Sequence, residues 1–282
     1  MLPLATVAAP RDFSQVEDSL SALSSGFLDI RLNETEKQKR LEQFNTLLEE
    51  TLSDPASMSY PFAKLSHVSI LSPSDRSFRI FTWFTVSPTG YTPHGMVQVI
   101  HGKRPSCKVF PLLHNAEAVR SLSYKTLDAD EWFGAVYYEM IEFKQQKKRS
   151  WILLGFNGND GVVHKKVIDV ITIGSNGTPK FGSSVFYNED RMASRVIFQY
   201  SAKAKVSVRY DEKEKMIIFD HLAPQRPGLE EQYQHYVPDL SYDALKLAKG
   251  KWMYKKDVNA RNEDENKGNE GTKYNITLPE HD

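Results

Sequence analysis

An acid and a histidine stand side by side near the end of an apolar segment, as Asp220 and His221 of MIIFDHLAP (216–224). General acid–base catalysis and the binding of divalent metals both use such side chains. On a regular strand, however, neighbouring side chains point to opposite faces, so these two cannot converge on one proton or one metal ion. We therefore expect that a β-bulge turns one side chain, or that each has its own partner.

Three carboxylates, Glu139, Asp169 and Asp220, fall in phase with apolar side chains on their predicted strands. A buried carboxylate without a partner costs several kcal/mol, so each needs a cation, a hydrogen-bond donor or a metal. Two of them about 5 to 10 Å apart would suit glycoside hydrolysis. The candidate catalytic residues are thus these three and His221, and the candidate metal ligands are Asp220 and His221.

The alternative is a purely structural role for these carboxylates. Arg79, Lys165 or a tyrosine hydroxyl would then satisfy each of them separately.

Other motifs point away from familiar chemistry. There is no G-x-S-x-G nucleophile motif, and no histidine pair has zinc-binding spacing. NGNDG (157–161) lacks the later glutamate of a calcium loop, and GSNGTPKFG lacks the lysine spacing of a phosphate loop. The single cysteine, Cys107, excludes an internal disulfide and a multi-cysteine metal cluster. No cofactor is predicted.

Aromatic residues offer a second kind of site. Trp83, Trp132, Trp151 and Trp252 lie in or beside predicted strands. Exposed in a row they would grip sugar rings, whereas buried they would fill the core. The segment 222–239 reads as a long polar and aromatic loop, and loops of this length are often functional. We expect any binding site to lie beneath it.

The charge balance excludes one class of partner. Lys and Arg together number 36, as do Asp and Glu, so the net charge is zero. Binding nucleic acid without regard to sequence usually needs a basic excess, so no nucleic-acid partner is predicted. The sequence contains no apolar run of about 18 residues, so no transmembrane segment is predicted. The opening MLPLATVAAP resembles the end of a secretion signal without its basic leader, although a frayed terminus would look the same.

Helical spacing of apolar residues predicts two helices at the start of the chain, over 13–25 and 34–52. Asp12 and Asn33 can cap them, and Glu34 and Glu36 suit the positive end of the second. We expect their apolar stripes to dock on the rest of the chain, with binding to a partner as the alternative.

From residue 66 onward, short segments rich in β-branched and aromatic residues alternate with turns. No crossover helix fits between most of them, so the fold class is mainly β, an antiparallel meander forming a sandwich or rolled sheet. Three successive groups of strands, 66–113, 132–187 and 194–238, leave a propeller-like array as the alternative.

The predicted organisation is a helical segment (1–60), a β-domain (61–257) and a polar C-terminal tail (258–282). Within these, the basic run at 144–149 reads as a hairpin loop, 238–250 reads as a short helix, and KWMYKKDV as a final strand. KYNITLP could return as an edge strand, or not be a strand at all.

The segments SWILLGFNGND, KKVIDVITI, KFGSSVF, SRVIFQYSAKAKVSVRYD and MIIFDHLAP, in this order, resemble an uncharacterised family of exported, β-rich proteins from Gram-negative bacteria. The resemblance spans approximately residues 60–255 and implies a periplasmic or secreted location. Because the family has no assigned activity, it carries over no functional residue.

Three functions follow as hypotheses. The first is a binding or structural role at the cell envelope, with a glycan or another envelope component as partner. The second is a hydrolase, glycan-directed or metal-dependent, that uses the candidate carboxylates. The third is a carbohydrate-binding module that uses exposed tryptophans. The sequence leaves open whether the protein is an enzyme.

Overall fold

The structure, a computed structural model, describes residues 12–102, 106–115, 121–145, 148–188 and 191–259. The first ten residues, the segment KYNITLP and nearly all of the polar tail lie outside these ranges, as does part of the basic run at 144–149. Within the described ranges no helix is both long and apolar enough to cross a membrane.

Both predicted helices form, α1 over Phe13–Ser24 and α2 over Glu34–Leu52. Asp12 caps the first by accepting a hydrogen bond from the Ser14 N–H, and Asn33 caps the second by accepting from the Thr35 N–H. These bonds satisfy backbone donors that have no partner inside the helix. The predicted starts are therefore confirmed.

Strands follow through to the end of the described chain. In chain order they are β1 (Ser69–Leu71), β2 (Phe78–Ser87), β3 (Gly90–His101), β4 (Ser106–Leu112), β5 (Val136–Gln145), β6 (Lys148–Asn157), β7 (Val163–Ile173), β8 (Pro179–Phe181), β9 (Phe186–Asn188), β10 (Arg191–Ala193), β11 (Val196–Ser201), β12 (Val208–Asp211), β13 (Met216–Pro224), β14 (Tyr236–Ala248) and β15 (Lys251–Lys255).

The strands form three sheets. Sheet A has the order β1-β2-β3-β4, sheet B the order β11-β7-β6-β5 with β8 also on β7, and sheet C the order β10-β9-β15-β14-β13-β12. Every pairing is antiparallel except the parallel pair of β15 and β9. The sheets do not close into a barrel. The prediction of a mainly β, antiparallel fold with two N-terminal helices is confirmed.

Sheet B is the middle layer, because its two faces contribute to two different cores. Trp151 and Leu153 of β6 pack with side chains of sheet A, whereas Ile152 and Leu154 pack with side chains of sheet C. This alternation is the one expected for a strand buried on both faces.

The helices cover the outer face of sheet A. Phe44 and Leu48 of α2 share a buried cluster with Phe81 and Trp83 of β2, and the rings of Phe44 and Trp83 meet edge to face, 5.1 Å between centroids. The apolar stripes of the helices therefore dock on their own chain.

Sheets B and C are interlaced in the chain. After β8 pairs with one end of β7, the chain crosses to β9 and β10 in sheet C, returns as β11 to the other end of the same β7 edge, and crosses again to β12. The three predicted groups of strands therefore match the three sheets only approximately.

Two local predictions are wrong. Residues 238–250 form most of strand β14 rather than a helix, because this segment pairs with β13 on one side and β15 on the other. The predicted loop at 222–239 is shorter, because β13 continues to Pro224 and β14 begins at Tyr236. The predicted final strand is confirmed as β15.

Candidate functional site

A cleft of about 590 Å³ lies between β11, the edge strand of sheet B, and the facing strands of sheet C. Its volume is in the range of small-molecule binding sites. Aromatic side chains contribute much of its wall, namely those of Tyr124, Phe186, Tyr187, Phe198, Phe219 and Tyr254. The polar side chains that line it include Arg191, Asp220, His221 and Asp243. Of the predicted candidates, the cleft thus contains Asp220 and His221.

His221 is held by a carboxylate that the sequence analysis did not identify. Its Nδ1 lies 2.8 Å from Oδ2 of Asp243 on the neighbouring strand. The side chain of Asp243 is 3% exposed and that of His221 is 37% exposed. The acid thus lies at the floor of the cleft, and the imidazole extends from it towards the opening.

The carboxylate of Asp243 accepts hydrogen bonds from three groups. Besides His221, the Tyr254 hydroxyl donates to Oδ2 at 2.5 Å and the Asp257 N–H donates to Oδ1 at 3.1 Å. Burial raises the pKa of Asp243, but the hydrogen bonds from Tyr254, His221 and Asp257 outweigh it and hold that pKa below its ordinary value. Asp243 is therefore an ionised acceptor at neutral pH.

A bulge in the β13–β14 ladder accompanies this arrangement. Asp220 pairs with Tyr242 and Leu222 with Pro238, so that His221 on β13 lies opposite three residues of β14. Bulges re-aim side chains and recur beside functional sites. The expected bulge at the acid–histidine pair is therefore present.

Asp220 has a different partner from His221. Its Oδ2 accepts a hydrogen bond from the Ser207 N–H at 2.7 Å, and its own N–H donates to the Ser207 carbonyl at 3.2 Å. Each member of the adjacent pair thus has its own partner, as strand alternation predicts. In this structure Asp220 joins β13 to the segment before β12.

The three residues of β14 opposite His221 (239–241) protrude beside the cleft. Ser241 donates to Oδ1 of Asp239 from its N–H and from its hydroxyl. Between them, Leu240 is 90% exposed and has a φ of 73°. Oδ2 of Asp239 lies 3.9 Å from Nε2 of His221, which is too long for a hydrogen bond.

Asp169 is sealed in a buried ion pair. Nε of Arg195 donates to its Oδ2 at 3.1 Å, and both side chains are 0% exposed. The other guanidinium nitrogens donate to the carbonyls of Leu122, Lys125 and Phe181. Burial raises the pKa of Asp169, and Arg195 opposes this effect. The pair fastens the segment before β5 to sheet B, and it leaves this carboxylate no access to a ligand.

Glu139 faces sheet C rather than sheet A. A register shift between Tyr137 and Glu139 in the β5–β6 ladder reverses the alternation, so that Tyr137 lies in the A–B core while Ile141 lies in the B–C core. Glu139 and Tyr137 therefore lie on opposite faces of β5, whereas regular strand alternation would place them on the same face. Burial raises the pKa of Glu139, whose Oε2 accepts a long hydrogen bond of 3.4 Å from the Tyr210 N–H.

Of the predicted alternative partners, a tyrosine hydroxyl is found, because that of Tyr137 hydrogen-bonds to Asp169, whereas Arg79 needs correction. Arg79 donates to Gln98 and to the carbonyls of Ser57 and Tyr60 instead of neutralising a candidate carboxylate. The cation that does so is Arg195, which the sequence analysis overlooked. Within the described ranges, no group of three or more His, Cys, Asp or Glu side chains is arranged to hold a metal ion.

All four tryptophans belong to the core. Trp83, Trp132, Trp151 and Trp252 are 5% exposed or less. The exposed row of tryptophans on which the carbohydrate-binding hypothesis was based is therefore not formed. The aromatic lining of the cleft consists instead of tyrosine and phenylalanine side chains.

Comparison of the chain with protein-family models, with curated proteins and with solved structures found no match.

Proposed function

We propose that this is a ligand-binding protein and that the cleft between sheets B and C takes a ring-bearing polar molecule of the size of a mono- or disaccharide. The observation that carries the proposal is the composition of the cleft. Tyrosine and phenylalanine side chains line the cleft together with charged side chains that can form directional hydrogen bonds. A sugar ring offers the matching surfaces, because its C–H groups form apolar faces and its hydroxyls form a polar edge.

Two exposed side chains of the cleft are suited to this role. Tyr124 is 50% exposed and can stack against a ring, and Arg191 is exposed and can donate to hydroxyl or carboxylate oxygens. Neither is part of a buried core, so substituting them should leave the fold intact.

We place this binding role at the cell envelope, in the periplasm or outside the cell. The support is the resemblance of approximately residues 60–255 to exported β-rich proteins. Fractionation of the producing cells, with an antibody against the protein, tests the location, and recovery from the cytoplasm alone would contradict it.

Saturation-transfer NMR with a panel of saccharides tests the binding. Suitable probes are glucose, galactose, mannose, N-acetylglucosamine and their β-linked dimers. We expect saturation transfer to at least one of them. Tyr124→Ala and Arg191→Ala should each weaken it at least about tenfold, since each removes more than about 1.4 kcal/mol of contact.

Tyr233→Ala and Arg226→Ala are the matched controls, because both residues lie outside the lining of the cleft. They should change the affinity less than about twofold. The proposal fails if none of the saccharides binds, or if the cleft variants bind as well as the controls do.

A further inference from the structure

The tautomer of His221 follows from its partner. Asp243 is an ionised carboxylate, which can accept hydrogen bonds but not donate them. Nδ1 of His221, 2.8 Å from Oδ2, must therefore carry the proton of that bond. The lone pair is then on Nε2. Among the described residues, Nε2 has no hydrogen-bond partner. Oδ2 of Asp239 lies 3.9 Å from it, which is too far for a hydrogen bond.

This arrangement is the one that prepares an imidazole to take up a proton. A buried carboxylate on Nδ1 fixes the ring orientation and stabilises the imidazolium that forms when Nε2 accepts a proton. The acid is almost completely buried, whereas the imidazole is open to the cleft. Tyr254 and the Asp257 N–H hold the acid in turn, so its position does not depend on His221 alone.

We propose that His221 is a general base that activates water for hydrolysis of a carboxylic ester whose ring-bearing part lies in the cleft. The choice of substrate rests on the proposed function, since the cleft must first bind that ring. Asp243 is the positioning residue, and Tyr254 positions Asp243.

The reaction balances without a metal ion or a cofactor. Nε2 removes a proton from water as the water oxygen bonds to the ester carbonyl carbon, which gives a tetrahedral intermediate and an imidazolium. The intermediate then expels the alcohol, breaking the bond between the acyl carbon and the alcohol oxygen. The imidazolium returns its proton to that oxygen, so one ester and one water become one carboxylic acid and one alcohol.

Two neighbouring carboxylates do not replace His221 in this role. Oδ2 of Asp220 is already bonded to the Ser207 N–H. Asp239 is held by Ser241, whose hydroxyl donates to Oδ1 and lowers the pKa of Asp239, which makes that carboxylate a weaker base.

Hydrolysis of 4-nitrophenyl acetate by the full chain tests the proposal. This ester has an aromatic ring suited to the cleft, and its leaving group departs without acid assistance. The rate is measured from nitrophenolate release, after subtraction of the rate in buffer. His221→Gln should lower kcat/KM at least about 100-fold, as expected for the loss of a general base. His235→Gln is the matched control, because His235 lies nearby but does not line the cleft, and it should leave the rate unchanged.

Two further measurements distinguish general-base catalysis from a purely structural role of the His221–Asp243 pair. Asp243→Asn should lower kcat while KM stays nearly constant, and it should change the pH–rate profile, because the wrong tautomer is then stabilised. General-base catalysis also predicts a normal solvent deuterium isotope effect and no burst of nitrophenolate. A burst would show that His221 attacks the ester directly, and it would overturn the general-base proposal.

Failure of this inference and failure of the proposed function give different results. If the cleft binds a saccharide but ester hydrolysis is equal in wild type and His221→Gln, the binding function stands and the inference is overturned. If hydrolysis depends on His221 but no saccharide binds, saccharide binding is overturned and the general base stands. A circular dichroism spectrum and a thermal unfolding curve close to those of wild type confirm that His221→Gln folds.

Discussion

Asp243 and His221 lie on adjacent antiparallel strands, and their side chains meet diagonally across the ladder. Asp243 is the register partner of Phe219, two residues before His221, yet its Oδ2 lies 2.8 Å from the imidazole. Diagonal neighbours on one face are within reach of long side chains. The bulge at His221 and the donors around Asp243 are thus parts of one arrangement, and the first prediction concerns these donors.

Tyr254→Phe should raise the pKa of Asp243, because it removes the hydroxyl that donates to Oδ2. The low folded-state pKa of Asp243 stabilises the protein at neutral pH, and this stability is lost as the pH falls through that pKa. In the variant this stabilising contribution should therefore be smaller, and its loss should be complete at a higher pH. The measurement is the NMR titration of the Asp243 side-chain carboxyl carbon. Tyr187→Phe is the control, and equal titration curves for all three proteins would contradict the prediction.

Breaking the buried pair of Asp169 and Arg195 should destabilise the protein strongly. Arg195→Met leaves a buried charge and removes one donor from each of three carbonyls, so we expect a loss of about 3–5 kcal/mol in the free energy of unfolding. Asp169→Asn should cost a similar amount, and the double variant should cost clearly less than the sum of the two. Urea unfolding measures all three.

The control pair is Asp75 and Arg149, whose side chains are 34% and 49% exposed. Removing either of these should cost less than about 1 kcal/mol, because exposed ion pairs contribute little. Equal losses for the buried and exposed pairs would be incompatible with the structural role assigned to Arg195.

Acid should destabilise the protein through His94. Burial, with the charge of His114 as a second cause, lowers the pKa of His94 from 6.5 to about 4. Between these values the unfolded chain binds a proton that the folded chain does not, so stability falls as the pH is lowered from about 6.5 to about 4. The loss attributable to this group is up to about 3 kcal/mol.

The check is the pH dependence of the urea unfolding free energy in His94→Gln, a variant that keeps an acceptor for the Thr85 hydroxyl. Its curve should be flatter than that of wild type in this window. His67→Gln, at an exposed position, should reproduce the wild-type curve. A His94→Gln curve as steep as wild type would refute the assignment.

Leu240→Gly should stabilise the protein by about 1 kcal/mol. Leu240 has a φ of 73°, a region that is strained for L-residues but accessible to glycine. At 90% exposure the leucine side chain contributes little packing that would be lost. Leu113→Gly is the matched control, since Leu113 is exposed but is not among the residues with positive φ. This substitution should be destabilising, and thermal unfolding distinguishes the two signs.

Most of the fold follows from local patterns in the sequence. Both helices begin after residues that can cap them, and the β region has the short period and frequent turns of an antiparallel meander. The segment 238–250 is the instructive exception. Its capping residues and its Ala, Leu and Lys content favour a helix, but partners on both sides in sheet C impose a strand, so tertiary pairing overrides propensity.

Because 238–250 was predicted to be a helix, the sequence did not single out Asp243, the partner of His221 in the candidate site. Read as a strand, 238–250 places Asp243 in phase with Leu245 and Leu247, which is the signal that singled out Asp169. Read as a helix, it gives no such signal. His221 was found because it stands beside Asp220, whereas Asp243 and Tyr254 are brought to it only by the order of strands in sheet C. That order is set by contacts between distant parts of the chain, and local periodicity does not encode it.

The interlacing of sheets B and C constrains the order in which the molecule can be made. During synthesis, the helices and sheet A are complete in the emerging chain once Leu112 has left the ribosome. Sheet B gains its last strand only with β11, and sheet C is completed only by β15. A nascent chain that ends between β8 and β11 therefore exposes an unpaired edge of β7 and the apolar face awaiting sheet C. We therefore expect the nascent chain to be prone to aggregation during this interval.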